Sequence, residues 1–222
     1  MHCDMRYKAV IFDMDGTILD TLADLAEAVN NALRKNRMPE HTTEEVRWFV
    51  GNGIPKLIAR AVPEDADETQ RQQVHADFTV YYKEHCADHT APYPGIPEML
   101  RTLRAAGMQT AVVSNKADYA VQILVEDYCP GLFDAAVGDR EGFRRKPAPD
   151  SVNAVLETLG IDRGDAVYIG DSDVDIATAK NAGMLCISVD WGFRPEAFLR
   201  EHGAETILHD AEALRDFLLN VN

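Results

Sequence analysis

Short apolar runs alternate along the chain with longer segments in which apolar residues recur every three or four positions. The runs predict strands buried on both faces, the third and the last of them weaker, at 9–12, 109–114, 133–137, 166–169, 185–189 and 206–208. The segments between them predict helices at 96–105, 117–127, 151–159 and 173–181. This alternation is typical of an α/β fold, a doubly wound, Rossmann-like parallel sheet covered by helices on both sides. In such sheets ligands bind beyond the carboxyl ends of the strands.

One region interrupts the alternation. Between residues 22 and 89 only helical periodicity is present, and the proline-rich stretch 91–95 marks the return to the sheet. We therefore predict a small all-helical cap at residues 21–91, inserted into a catalytic core formed by residues 1–20 and 92–222.

Charge and cysteine usage narrow the possible partners. The formal net charge is −15, so nucleic acids and anionic membranes would be repelled. An anionic substrate would then need a metal ion or a few local cations. The four cysteines, scattered without metal-ligand spacing, are expected to be isolated reduced thiols: Cys3, Cys86, Cys129 and Cys186. With no recognisable signal peptide or membrane span, the expected location is cytoplasmic.

An acidic pair directly follows the first predicted strand. Gly16 permits a turn there, so that Asp13 and Asp15 can face one pocket. A buried carboxylate is unfavourable by several kcal/mol unless a cation compensates it. Taken alone, the pair is also compatible with a solvated turn.

Polar residues also lie at or beyond the ends of three further predicted strands, those at 109–114, 133–137 and 166–169. Ser114, taken alone, is most simply the N-cap of the next helix, and Lys146, taken alone, a solvated surface lysine. The loop 171–175 has acidic residues at alternate positions, which suits cation binding and helix capping about equally. Converging on one sheet edge, these groups would supply oxygen ligands for Mg²⁺, donors for phosphate oxygens and a neutralising lysine. Phosphoryl transfer requires this set of groups.

Four motifs in this order resemble those of the haloacid dehalogenase superfamily of phosphohydrolases. They are residues 13–17, Ser114, residues 146–147 and residues 170–175. The resemblance implies that Asp13 is the nucleophile and that Asp15 acts as general acid and then as general base. A dehalogenase lacks the second aspartate, so Asp15 favours phosphate chemistry.

The resemblance also implies ligands for the metal and the phosphate. Mg²⁺ would be held by Asp13, Asp171 and the backbone carbonyl of Asp15, and Lys146 would stabilise Asp13 and the transferred group. The remaining implied residues are Ser114, Asn115 and Thr17 for phosphate binding, with Asp175 and Ser172 supporting the metal site from behind.

Within the superfamily, the chain is most similar to bacterial phosphoglycolate phosphatases. A loop formed by Gly51, Asn52 and Gly53 would then reach from the cap into the active site, although a simple inter-helix turn explains it equally well. Trp191 resembles a residue of a family loop near the site, and packing explains its indole equally well.

The implied function is Mg²⁺-dependent hydrolysis of a small phosphorylated metabolite, with 2-phosphoglycolate as the expected substrate. Alternatives within the superfamily are a pyrophosphatase, a sugar-phosphate phosphatase and a β-phosphoglucomutase. A phosphorylated receiver domain of a signalling protein is a further alternative, but it would not explain the helical insertion. A binding protein without catalytic activity is another, but it would not need the reactive residue type that every motif position keeps. Whether the protein is a monomer or a dimer stays open.

Overall fold

The computed structural model describes residues 6–220, which form a parallel sheet with flanking helices and a group of inserted helices. The strands are β1 (Ala9–Phe12), β2 (Leu19–Asp20), β3 (Ala91–Pro92), β4 (Gln109–Ala117), β5 (Ala135–Asp139), β6 (Ala166–Gly170), β7 (Leu185–Val189) and β8 (Thr206–Leu208). The helices are α1 (Leu22–Lys35), α2 (Thr43–Phe49), α3 (Ile54–Ala61), α4 (Glu68–His85), α5 (Ile96–Ala105), α6 (Asp118–Tyr128), α7 (Asp150–Leu159), α8 (Asp173–Ala182), α9 (Glu196–Glu201) and α10 (Ala211–Leu219).

The central sheet has the strand order β5-β4-β1-β6-β7-β8, and every neighbouring pair is parallel. β1 lies in the middle and is completely buried, which is why its sequence is uninterrupted by polar residues. Its Ala9 pairs with Gln109 of β4 on one side and with Ala166 of β6 on the other. The carboxyl ends of these three strands therefore meet at one edge. The predicted doubly wound α/β fold is confirmed.

The inserted helices α1 to α4 bury an apolar cluster of their own, to which Ala120 and Phe193 of the sheet part also contribute. Two of the helices begin with reciprocal capping boxes, α2 at Thr42 with Glu45 and α4 at Asp67 with Gln70. Hence a separate core holds the helices predicted as the cap.

The two connections between the helices and the sheet run side by side. β2 and β3 pair antiparallel, Leu19 with Pro92 and Asp20 with Ala91. This two-stranded ribbon was not predicted, because two residues are too few for a periodic signal.

The start of helix α6 differs from the prediction. β4 continues to Ala117, and the helix begins at Asp118, whose preceding residue makes no side-chain cap. Interpreting Ser114 as an N-cap was therefore wrong, because the strand runs on for three residues beyond it. Helices α9 and α10 were not predicted either.

Cys86, Cys129 and Cys186 are free thiols, as expected, and Cys3 lies outside the described residues. Across residues 6–220, none of the helices combines the length and apolar character needed to traverse a bilayer.

Candidate active site

Asp13 lies at the carboxyl end of β1, where its backbone N–H donates to the Ile169 carbonyl at 2.9 Å. The carboxylate is buried and lies 2.8 Å from the Lys146 ammonium. Burial, together with the Asp175 carboxylate, raises the pKa of Asp13 well above its usual value, although Lys146 opposes the shift. This carboxylate is therefore a poorly hydrated group facing a cation.

Lys146 lies in the loop before α7, and its side chain is only 2% exposed. Its ammonium also contacts the Asp175 carboxylate at 2.9 Å and the Tyr168 hydroxyl at 3.1 Å. Burial would lower the pKa of Lys146, but the two carboxylates outweigh burial and raise it, so the side chain is charged. The interpretation of this residue as a solvated surface lysine was wrong.

Asp171 and Asp175 have different surroundings beyond β6. Asp175 accepts hydrogen bonds from the backbone N–H and the hydroxyl of Ser172 and completes a capping box at the start of α8. Asp171 accepts from the Thr17 hydroxyl at 3.1 Å and from the Phe193 N–H at 2.7 Å. The loop thus caps a helix with one carboxylate and directs the other towards Asp13.

The acidic cluster has the donor set of a hard cation. Carboxylate oxygens of Asp13, Asp171 and Asp175 lie within 4.8 Å of one another and could hold a metal ion. Among residues 6–220, no lysine, arginine or histidine forms an ion pair with Asp171. Burial, with the charge of Asp175, raises the pKa of Asp171 to about 7. A buried carboxylate without a cationic partner fits a metal ligand.

Two glycines allow the chain to approach this carboxylate closely. A Cβ atom on Gly16 or on Gly192 would overlap the Asp171 carboxylate, and Gly16 also has a φ of 83°. Only glycine fits both positions without displacing the carboxylate.

Asp15 is held by a second buried lysine. Its Oδ1 accepts from the Lys116 ammonium at 2.8 Å and from the Thr21 hydroxyl at 2.7 Å. Lys116 also lies over the ring of Tyr82, 4.9 Å from the ring centre. Sequence reasoning gave Lys116 no role. Its place two residues after Ser114, at the end of an apolar run, was the available signal; β4 is irregular between Val113 and Ala117, and Asn115 lines the same cavity as its two neighbours.

These groups border a small cavity of about 50 Å³ between the sheet and the inserted helices. Such a volume holds a few water molecules or a small ligand. The sheet side contributes Asp13, Asp15, Ser114, Asn115, Lys116, Asp171, Ser172, Phe193 and Arg194, and the helical side contributes Leu25, Val50, Gly51, Gly53, Ile54, Leu57 and Tyr82.

The loop between α2 and α3 is both an inter-helix turn and a wall of this cavity. Gly51 and Gly53 have φ angles of 121° and 82°, and both line the cavity. The Asn115 amide donates to the Gly51 carbonyl at 3.1 Å. Asn52 does not line the cavity; its side chain accepts a hydrogen bond from Arg60.

Thr17 occupies a different place from the one predicted. It is completely buried and donates to Asp171, so it orients that carboxylate instead of lining the cavity. Trp191 donates from its indole N–H to the Thr17 carbonyl at 3.1 Å, behind the site. Arg194, which lines the cavity, had no predicted role, because a single arginine after a strand carries no signal of its own.

Comparisons with known proteins agree with this geometry. Residues 10–189 match the family model of haloacid dehalogenase-like hydrolases. Among curated relatives, a phosphoglycolate phosphatase of Rhodospirillum rubrum is 34% identical over 95% of this chain and 90% of its own length. A phosphoglycolate phosphatase of Chromobacterium violaceum is 32% identical over 96% and 97%.

A solved structure extends the match to three dimensions. A protein from Lactobacillus delbrueckii subsp. bulgaricus, to which phosphoglycolate phosphatase activity is attributed, has a TM-score of 0.93 and 43% identity. The match covers 96% of this chain and 99% of that one. The chain therefore belongs to the family of haloacid dehalogenase-like hydrolases.

Proposed function

We propose that the protein is a Mg²⁺-dependent phosphatase that hydrolyses 2-phosphoglycolate through an aspartyl-phosphate on Asp13. The observation that carries the proposal is the placement of Asp13 between the Lys146 ammonium at 2.8 Å and the carboxylate of Asp171, which forms no ion pair within residues 6–220. The relatives named as phosphoglycolate phosphatases match nearly the whole chain, which supports this choice of substrate.

The metal would be held by the carboxylates of Asp13 and Asp171 and the backbone carbonyl of Asp15. When bound, Mg²⁺ would neutralise charge on the phosphoryl oxygens. Asp175 is already engaged by Lys146 and Ser172, so its role is to hold the lysine in place.

In the first half-reaction, a carboxylate oxygen of Asp13 attacks phosphorus and the bond between phosphorus and the glycolate oxygen breaks. Asp15 gives its proton to the departing oxygen, which leaves as glycolate. Ser114 and Asn115 line the cavity, and the Ser114 hydroxyl and the Asn115 backbone bind phosphoryl oxygens, because the Asn115 side-chain amide is engaged by the Gly51 and Lys146 carbonyls. Lys146 offsets the charge that develops next to Asp13.

In the second half-reaction, water attacks the phosphorus of the aspartyl-phosphate. Asp15, now a carboxylate, takes the proton from that water, and the bond between phosphorus and Asp13 breaks. Inorganic phosphate leaves, and both aspartates return to their starting states. Lys116 and Thr21, which contact the same oxygen of Asp15, hold the carboxyl in place for both proton transfers.

The cavity supports a small substrate. Its cap side consists mainly of apolar side chains such as Leu25 and Leu57, which offer no hydrogen-bond partners to the hydroxyl groups of a sugar. The net charge of −15 disfavours nucleic acids and anionic membranes as partners. The free thiols fit a reducing compartment, and we place the enzyme in the cytoplasm.

The test is a comparison of kcat/KM values in the presence of Mg²⁺. The substrates are 2-phosphoglycolate, pyrophosphate, β-glucose 1-phosphate and several other sugar phosphates, with Asp13→Asn as the inactive control. We expect 2-phosphoglycolate to exceed every other substrate by at least about tenfold, a difference of about 1.4 kcal/mol in transition-state binding. A preference for another compound, or a uniformly low profile, would contradict the assigned substrate.

A further inference from the structure

A buried arginine joins the sheet part of the protein to the cap, here the inserted residues 21–91. Arg194 follows β7, and its two terminal nitrogens donate to the carbonyls of Arg47 at 2.7 Å and Val50 at 2.8 Å. Both carbonyls belong to the carboxyl-terminal end of α2, where helix carbonyls lack intrahelical partners and the helix dipole is negative. The planar guanidinium matches this pair of acceptors.

The remaining surroundings of the guanidinium are aromatic. Its central carbon lies 4.9 Å from the ring centre of Trp48 in the cap and 5.8 Å from that of Phe198 in α9. The two rings meet edge to face at 5.6 Å across the boundary. Arg194 is 5% exposed, and no carboxylate among residues 6–220 lies within ion-pair distance of it. Its hydrogen-bond acceptors therefore belong to the cap, whereas Asp171 and Asp173 of the sheet part act on its charge from a greater distance.

We propose that Arg194 is a positioning residue that fastens the cap in its closed position. If the cap swings away about the β2–β3 ribbon, the guanidinium loses both carbonyls and the Trp48 ring together. The closed position is thereby stabilised by contacts that make no use of the substrate. This inference rests on the proposed function only in so far as substrate turnover is used to read it out.

The fastened segment adjoins the reaction site. Val50 precedes Gly51, which lines the cavity and whose carbonyl accepts from the Asn115 amide at 3.1 Å. On the sheet side, the Phe193 N–H next to Arg194 donates to Asp171. Arg194 thus links the loop that closes the cavity to the loop that orients a predicted metal ligand.

An arginine that only fastens the cap lowers the apparent KM of every substrate by the same factor, because only the closed fraction binds productively. An arginine that contacts the leaving group favours substrates with an anion there. Two substrates of equal length separate these roles: 2-phosphoglycolate carries a carboxylate, and 2-hydroxyethyl phosphate carries a hydroxymethyl group in its place.

The variants are Arg194→Met, which keeps the length and apolar contact of the side chain, and Arg194→Lys, which restores the charge without the planar fork. The matched control is Arg60→Met. Arg60 donates to Phe49 O and Asn52 Oδ1 in the same loop, but it is exposed and belongs to the cap. Circular dichroism and melting temperature verify folding of each variant.

For Arg194→Met we expect KM to rise about 10- to 100-fold, because at least one charge-assisted hydrogen bond is lost. The rise should be equal for both substrates. We expect kcat to stay within about threefold, since saturating substrate restores closure. The KM of Arg194→Lys should lie between those of the wild type and Arg194→Met. Arg60→Met should leave KM within about threefold of the wild type.

A second measurement reports cap position without turnover. The chain has two tryptophans, so a Trp191→Phe background leaves Trp48 as the only one. We expect acrylamide to quench Trp48 more strongly when Arg194→Met is added, because the indole leaves Phe198. Unchanged quenching and unchanged KM would overturn the proposal, as would a loss confined to 2-phosphoglycolate. If the wild type hydrolyses neither substrate, the proposed function fails, and the quenching still decides the role of Arg194.

Discussion

At the scale of single residues, two buried lysines divide the carboxylates of the site between them. Lys146 contacts Asp13 and Asp175, and Lys116 contacts Asp15. Asp171 is left with two neutral hydrogen-bond donors. The charge missing from this arrangement lies beside Asp171, where a divalent ion would supply it.

The role assigned to Asp13 predicts that its replacement by asparagine abolishes turnover without unfolding the protein. Asp13→Asn is nearly isosteric and still accepts a hydrogen bond from Lys146, so the fold should persist. An amide is a very poor nucleophile, and we expect kcat to fall by at least about 10⁴-fold. Steady-state turnover and circular dichroism of the purified variant check this, and near-normal rates would refute the assigned chemistry.

The raised pKa of Asp171 predicts how metal binding depends on pH. The folded-state pKa of about 7 exceeds the ordinary value of 3.8. The protonated Asp171 carboxyl therefore stabilises the metal-free fold fully below pH 3.8, the ordinary pKa. This stabilisation is lost as the pH rises through the folded-state pKa of about 7. Without metal, the melting temperature should fall between about pH 4 and 7 and level off above that.

We expect Mg²⁺ to bind the ionised carboxylate, so its stabilising effect on the melting temperature should grow over the same pH interval. EDTA should stop catalysis throughout. Asp171→Asn is the control and should reduce both the pH dependence and the effect of Mg²⁺. Full activity in EDTA would exclude the proposed metal dependence.

Strand ends were the part of the site that the sequence could predict. Asp13 and Asp171 directly follow apolar runs, and parallel strands carry such residues to one edge. Thr17, Lys116 and Arg194 were misplaced or overlooked. Their surroundings come from residues far away in the chain, such as the α2 carbonyls that Arg194 meets, and no local pattern encodes those.

At the scale of elements, prediction succeeded where the apolar pattern of a segment matches the way that segment is buried. The strands at 9–12 and 185–189 have the predicted bounds, because continuous apolar sequence suits a strand covered on both faces. The β2–β3 ribbon escaped prediction, since backbone pairing between two distant dipeptides leaves no periodic trace. Helix α9 has six residues, too few for a clear apolar stripe.

The ribbon is held by one buried carboxylate, which predicts a large effect of its removal. Asp24 in α1 accepts hydrogen bonds from the His89 N–H at 2.9 Å and from the N–H and hydroxyl of Thr90 at 2.8 and 2.7 Å. Asp24→Ala leaves these donors without partners. We expect the free energy of unfolding to fall by about 2–4 kcal/mol.

Urea unfolding measures this loss. The control is Glu27→Ala, an exposed position on the same helix, which should change the free energy of unfolding by less than about 0.5 kcal/mol. Equal effects of the two substitutions would show that the Asp24 contacts do not stabilise the connection between cap and core.

At the scale of the whole molecule, a strongly acidic protein encloses a cavity in which buried cations offset most of the charge of the buried carboxylates. The net charge is −15, yet Lys116, Lys146 and Arg194 are buried beside or within the site. Surface charge acts over about 8–10 Å at physiological salt, whereas buried charges are screened much less. We therefore expect the buried cations of the site to determine which anions bind, and the acidic exterior to disfavour polyanions.

The separate apolar cluster of the cap predicts that the core folds without it. Leu19 pairs with Pro92 and Asp20 with Ala91, so both ends of the insertion start from adjacent strands and a short Gly-Ser linker can replace residues 22–90. The sheet keeps its own apolar clusters on both faces, although Ala120 and Phe193 lose their cover. We expect a folded core with a lower melting temperature that Mg²⁺ still raises, since the carboxylates of Asp13 and Asp171 remain.

Hydrolysis by this core should lose its selectivity. Without the cap, water reaches Asp13 freely and nothing encloses the leaving group, so kcat/KM for 2-phosphoglycolate should fall by at least about 100-fold. The activity towards p-nitrophenyl phosphate, whose leaving group needs no proton, should fall much less, and the ratio of the two values is the measurement. The melting curve with and without Mg²⁺ controls for folding. An aggregated core, or one that keeps its preference for 2-phosphoglycolate, would contradict the division into a cap that selects and a core that reacts.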